Sequence, residues 1–154
     1  MAEESLLKPG WEIEGISTAR PFFSSIGILL PLPVYFCFEG TSIEPDVWAL
    51  LQKNSASPHL QVPTGTLWPK PRVIHVLATA EFVSNLAAIA DSHAEPEICD
   101  HLHAYKDSKL LLQWHDAFDL PILLDVSIPE EFVQNFCRAA GATYTRCSSH
   151  TTGK

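Results

Sequence analysis

The sequence predicts an α+β fold: a single-domain two-layer sandwich whose mainly antiparallel sheet, with a meander over about 98–126, carries three helices on one face. Three observations predict it. β-forming runs alternate with segments of helical periodicity along the chain. Three short apolar runs between 98 and 126 are separated by turn-like breaks at hairpin spacing. Finally, 154 residues with 46% apolar side chains are enough for one core and leave little room for a second.

Residues 1–25 mix Pro9, Gly10 and Gly15 with scattered apolar side chains, of which only Trp11, Ile13 and Ile16 look able to anchor the segment. It is therefore expected to be loosely held. The most apolar run, 26–38, contains Pro31 and Pro33 and falls short of the roughly 20 apolar residues of a membrane span. It reads as a core strand, in which the β-formers of 34–38 are closed by a turn at Glu39-Gly40. A helix then starts near Thr41 or Ser42, because Thr41 and Glu44 have capping-box spacing and Pro45 falls in the tolerant first turn. It would bury Val47, Leu50 and Leu51.

Residues 54–66 are polar, hold Pro58, Pro63 and Gly65, and form a loop long enough to be functional. Trp68-Pro69-Lys70-Pro71 is an extended lead-in to a strand over 72–78, since each proline pushes its predecessor out of the helical region. Thr79 caps a second helix with Phe82, Leu86, Ile89 and Ala90 on its buried stripe. The third has Ser127 as cap, Pro129 in the first turn, a stripe of Phe132, Val133, Phe136, Cys137 and Ala140, and Gly141 as stop. Helices are thus expected at about 43–53, 80–91 and 129–140. A short strand at 143–146 is read as closing the domain, so the domain runs over 1–146 and 147–154 is expected to be a disordered tail.

Register decides what the meander displays, because a one-residue slip turns every side chain to the other face. A three-residue loop at 106–108 places Ile98, Leu102, Ala104, Leu110, Leu112 and Trp114 on one face. It gathers Cys99, His101, His103, Leu111, Gln113 and His115 on the other. A two-residue loop at Asp107-Ser108 mixes apolar and polar on both faces, so the first register is preferred. The histidine face should then be the solvated outer side of the sheet.

Function follows largely by exclusion. Ten basic against 18 acidic residues give a net charge of −8, which repels phosphate backbones and anionic headgroups, so neither nucleic acid nor a membrane is an expected partner. The acidic N-terminus lacks a secretory pattern, and the four cysteines form no Cys-x-x-Cys pair and read as reduced thiols, so the expected location is the cytoplasm. Single, scattered glycines exclude a phosphate-binding loop.

The charge is regional: residues 79–131 carry eleven acids against Lys106 and Lys109, while the rest of the chain is close to neutral. The expected function is accordingly a small acidic protein-interaction module, an inhibitor or immunity-type partner of a basic protein. Its binding surface would comprise Asp91, Glu95, Glu97 and Asp100. Two alternatives stand beside it. Cys99, His101, His103 and His115 have the donor chemistry of zinc and would make a small metal-dependent enzyme, although their spacing matches no recognised zinc motif. A pocket between the 54–66 loop and the sheet would make a small-ligand-binding regulator. The first reading needs no cofactor and no catalytic residue, and enzyme chemistry is the weaker expectation.

Overall fold

Seven strands form one sheet, every neighbouring pair antiparallel, in a computed structural model that describes residues 7–58, 60, 62, 65 and 70–147. In chain order the elements are β1 (Pro9–Glu14), α1 (Ala19–Leu29), β2 (Val34–Gly40), α2 (Pro45–Lys53), β3 (Arg72–Ala78) and α3 (Ala80–Ala90). A short 3-10 turn (Glu95–Glu97) leads to β4 (His101–Lys106), β5 (Lys109–Trp114), β6 (Ile122–Asp125), α4 (Glu130–Ala140) and β7 (Thr143–Arg146). The strands lie in the order β3-β2-β4-β5-β6-β1-β7. This is the predicted α+β class, with four helices where three were expected. Among the described residues no helix is long and apolar enough to cross a membrane.

The additional helix is α1, which occupies sequence read as a loose segment running into a core strand. Phe22, Phe23, Ile26 and Leu29 recur at helical spacing and are fully buried. Pro21 falls in the first turn, where a missing N–H costs nothing, and Pro31 follows the end. The β-forming character of 34–38 extended the strand reading too far back. β1 is likewise firmly held: it pairs with β6 on one side and β7 on the other, with Ile13 buried and the Trp11 indole N–H donating to the Ile128 carbonyl at 2.8 Å. At Gly10 a Cβ would lie 2.4 Å from the Val126 Cα, so this crossing of backbones requires glycine.

One core joins sheet and helices. α1 packs against both α3 and α4, and alternate strand residues Phe36, Phe38, Leu102, Ala104, Leu112, Trp114 and Leu124 meet it from the sheet. Phe22 contacts Trp114 with ring centroids 4.7 Å apart and Phe136 at 6.1 Å. Thr79 caps α3 by accepting the Phe82 N–H, and Gly141 ends α4 with φ 74°. Two expected caps are used otherwise. Ser127 bonds the buried Asp125 carboxylate and Pro129 takes the cap position of α4; Thr41 bonds Asp100 and Glu44 precedes Pro45 at the start of α2. The 143–146 strand is present as β7, Cys147 bonds the Gly10 carbonyl through its N–H, and the rest of the expected tail lies outside the described residues.

The β4–β5 hairpin starts in the register set aside from sequence and then shifts to one that neither reading gave. Its turn is the two-residue one, with Asp107 (φ 53°) and Ser108 (φ 63°) both left-handed, as a twist-matched tight hairpin turn requires. A bulge then skips Leu111: Tyr105 faces Leu110, but Ala104 faces Leu112 and Leu102 faces Trp114. The extra residue restores the alternation beyond it, so Leu102, Ala104, Leu112 and Trp114 face the helices and His101, His103 and Gln113 face away, whereas next to the turn the expectation is reversed: Leu110 turns outward with Tyr105 and Leu111 packs against the helix-side core.

Candidate functional site

The sheet face away from the helices is built from alternation in β2, β3 and β4. Odd-numbered residues of 34–40 turn outward, so Cys37 stands between His75 of β3 and His103 of β4, and Glu39 stands between Val73 and His101. His103 in turn faces Gln113. His115, just past β5, lies 5.2 Å from the His101 ring and 5.3 Å from the His103 ring, centroid to centroid.

This face is not the solvated one expected from sequence. His103 is 1%, Glu39 2% and His101 6% exposed. Gly65, from the segment between α2 and β3, donates its N–H to both Glu39 carboxylate oxygens at 2.8 and 3.0 Å. A Cβ on Gly65 would lie 2.9 Å from the His101 ring, so only glycine allows this approach. Leu60 joins Tyr105 and Leu110 in a second small apolar cluster on the same side. The long polar stretch hid this because its few apolar residues carry no periodicity.

Burial sets the chemistry. Removal from water, reinforced by His115, His101 and His75 nearby, depresses His103 to about 4, so it is neutral at physiological pH. His115 is lowered for the same reasons, burial first and His101 next. The His75 Nδ1 and the Tyr105 hydroxyl are 2.7 Å apart. His101 accepts the Asp116 N–H at Nδ1, 2.9 Å, which puts its ring proton on Nε2. A metal-ligating histidine has the opposite polarity, donating from its second nitrogen while the first binds. Cys99 faces the other way, into the helix-side core, and is not with the histidines. Among the described residues no three His, Cys, Asp or Glu side chains are arranged to hold a metal ion. Burial also raises the thiols, Cys37 to about 12, Cys137 to about 11, and Cys99 upward as well, which removes the thiolate a nucleophile needs.

The predicted acidic residues converge at a different place, the corner where α3 ends. Asp91 pairs with Arg20 of α1. Glu97 bonds His93 Nδ1 at 2.9 Å and accepts the Ala94 N–H; His93 Nε2 reaches Asp46 of α2 at 2.8 Å. An imidazole between two carboxylates must carry a proton on each nitrogen to donate to both, and these bonds, Asp46 first and Glu97 second, raise the His93 pKa. Asp100 accepts the Thr41 N–H and hydroxyl, each at 2.9 Å. Glu95 lines a cleft of about 390 Å³ with Arg20, Pro21, Asp91 and His93. Asp46 of α2 and Arg20 of α1, which sequence reasoning did not include, reach these acids from elements distant in the chain, and His93 stands between Asp91 and Glu95 in sequence.

No protein-family model, no curated protein and no solved structure matches the chain. Trp68 and Pro69 of the expected lead-in, and part of the 54–66 loop expected to border a ligand pocket, lie outside the described residues.

Proposed function

We propose that the protein is an interaction module whose acidic corner receives a basic partner. The observation that carries this reading is an imbalance held in place. Asp91 and Glu95 line a cleft with Arg20 and a protonated His93, Asp46 and Glu97 are bonded to that His93, and Asp100, three residues on from Glu97, is bonded to Thr41. The corner is therefore negative even with both cations counted, and Asp46, Asp91, Glu97 and Asp100 are held by hydrogen bonds within the chain. Carboxylates fixed before encounter lose little freedom on pairing, and their field mainly accelerates association with a cationic surface.

Affinity capture from the native cell extract, run side by side with wild-type and Glu95→Lys baits, tests the proposal. Glu95 is chosen because Glu97 fastens His93 and the Ala94 backbone, so altering it would confound binding with local structure. A partner retained by wild type at low ionic strength, released at high ionic strength and depleted on the variant supports the reading. Equal retention on both baits, or retention insensitive to salt, overturns it.

A further inference from the structure

We infer that the open half of the outer sheet face, centred on Leu120, is a second docking surface, built for a partner segment that presents an apolar side chain between lysines or arginines. The two halves of this face differ. Over β2 and β4 Cys37, Glu39, His101, His103 and Tyr105 are buried, and only at the β3 edge do Val73 and Leu77 come to the surface. Over β5, β6, β1 and β7, Gln113, Leu123 and Glu12 are only half-buried, while His115, Glu14, Thr143 and Thr145 are exposed.

Two depressions meet at this half. One of about 210 Å³ is lined by Glu12, Gln113, His115 and Leu123; the other, of about 420 Å³, by Glu14, Gly15, Ile16 and Phe118; both share Leu120 and Pro121. Leu120 is 51% exposed, yet its position is rigidly fixed. Its carbonyl accepts the Trp114 indole N–H at 2.7 Å, its N–H bonds the Asp116 carbonyl, and the turn leading to it holds Asp116 and Phe118 at positive φ. An apolar side chain held outward by a constrained turn is a contact surface available without reordering.

The rim states the partner's chemistry. Glu12, Glu14, Asp116 and Asp119 carry no ion pair or side-chain hydrogen bond among the described residues, and His115 is the basic group beside them. Unlike the carboxylates of the α3 corner, these are not already engaged. A second copy of the same face would oppose carboxylate to carboxylate, so the occupant is cationic and not this chain.

The test is amide chemical-shift mapping of the full chain with two blocked peptides, Lys-Lys-Leu-Lys-Lys and Lys-Lys-Ser-Lys-Lys, alongside sedimentation of the protein alone. The leucine peptide should shift amides of 12–15 and 113–123, several-fold more strongly than the serine peptide, and Leu120→Ser should erase the difference. The Trp114 anchor is the Leu120 backbone carbonyl, so the variant keeps it; Glu14→Lys provides an independent loss. Equal responses to both peptides, shifts confined to 91–100, or no shifts overturn the inference, and shifts confined to 91–100 would leave the acidic-corner proposal standing. Self-association abolished by Leu120→Ser would also overturn it, by making the occupant a second copy.

Discussion

Acidification should strip stability from this protein well above the range where its carboxylates protonate, and His103 is the main reason. The ring is 1% exposed between Cys37 and Gln113, with its pKa depressed to about 4 from 6.5. A histidine depressed on folding favours the neutral fold. Its contribution is complete above the unfolded value and is lost as pH falls toward the folded one, because the unfolded chain then binds a proton the fold refuses. At ~1.4 kcal/mol per pKa unit this one ring accounts for roughly 3 kcal/mol between about pH 6.5 and about pH 4. The perturbation is His103→Gln, which keeps a polar, uncharged side chain. Urea unfolding of both proteins across that window isolates the residue, since His115 and the carboxylates titrate in both. The variant should lose markedly less stability on acidification than wild type, whatever its starting stability. Parallel curves would refute the reasoning and place the proton elsewhere.

Three further outcomes are expected. Phe136→Ala, at a fully buried ring against Phe22, should cost ~3–5 kcal/mol in chemical denaturation; a negligible change would mean α4 is wrongly seated. Gly65→Ala should destabilise by about 1–3 kcal/mol, because its Cβ would press on the buried His101 ring, and an unchanged melting temperature would show that Gly65 does not rest on that ring. His93 works in the opposite sense to His103. Its pKa is raised by Asp46 and then Glu97, so its contribution is present below the unfolded value of 6.5 and disappears as pH rises through the folded one. His93→Ala should remove that alkaline loss, and retention of the loss in the variant would exclude the Asp46–His93–Glu97 link as its origin.

What could be read from sequence depended on how local the determining physics is. Thr79, Gly141 and the stripe of Phe132, Val133, Phe136 and Cys137 declare helices within one or two turns, and the structure has those helices. α1 was missed because Phe22, Phe23, Ile26 and Leu29 satisfy a helix while the adjoining run to Phe38 satisfies a strand; periodicity does not separate the two in short apolar stretches. The hairpin faces were legible beyond the bulge but the turn was not. Nothing in Lys106 to Lys109 announces that Leu111 will bulge and compensate a two-residue turn. Of the candidate site, His101, His103 and His115 were placed together, whereas Cys99 belongs to the core. Cys37, Glu39 and His75 join the histidines only through the β3-β2-β4 strand order. That order is a long-range fact. Gly65 illustrates the same limit, since its closeness to His101 is visible only once the chain between α2 and β3 has folded back.

The association rate of a captured partner, followed against ionic strength for wild type and Glu95→Lys, tests the central claim most directly. Electrostatic capture at the α3 corner predicts a wild-type rate that falls steeply as salt screens the corner, a variant that starts several-fold slower and is flatter in salt, and dissociation rates that change far less. Association that is unaffected by both salt and the charge reversal, with the difference confined to dissociation, would contradict it.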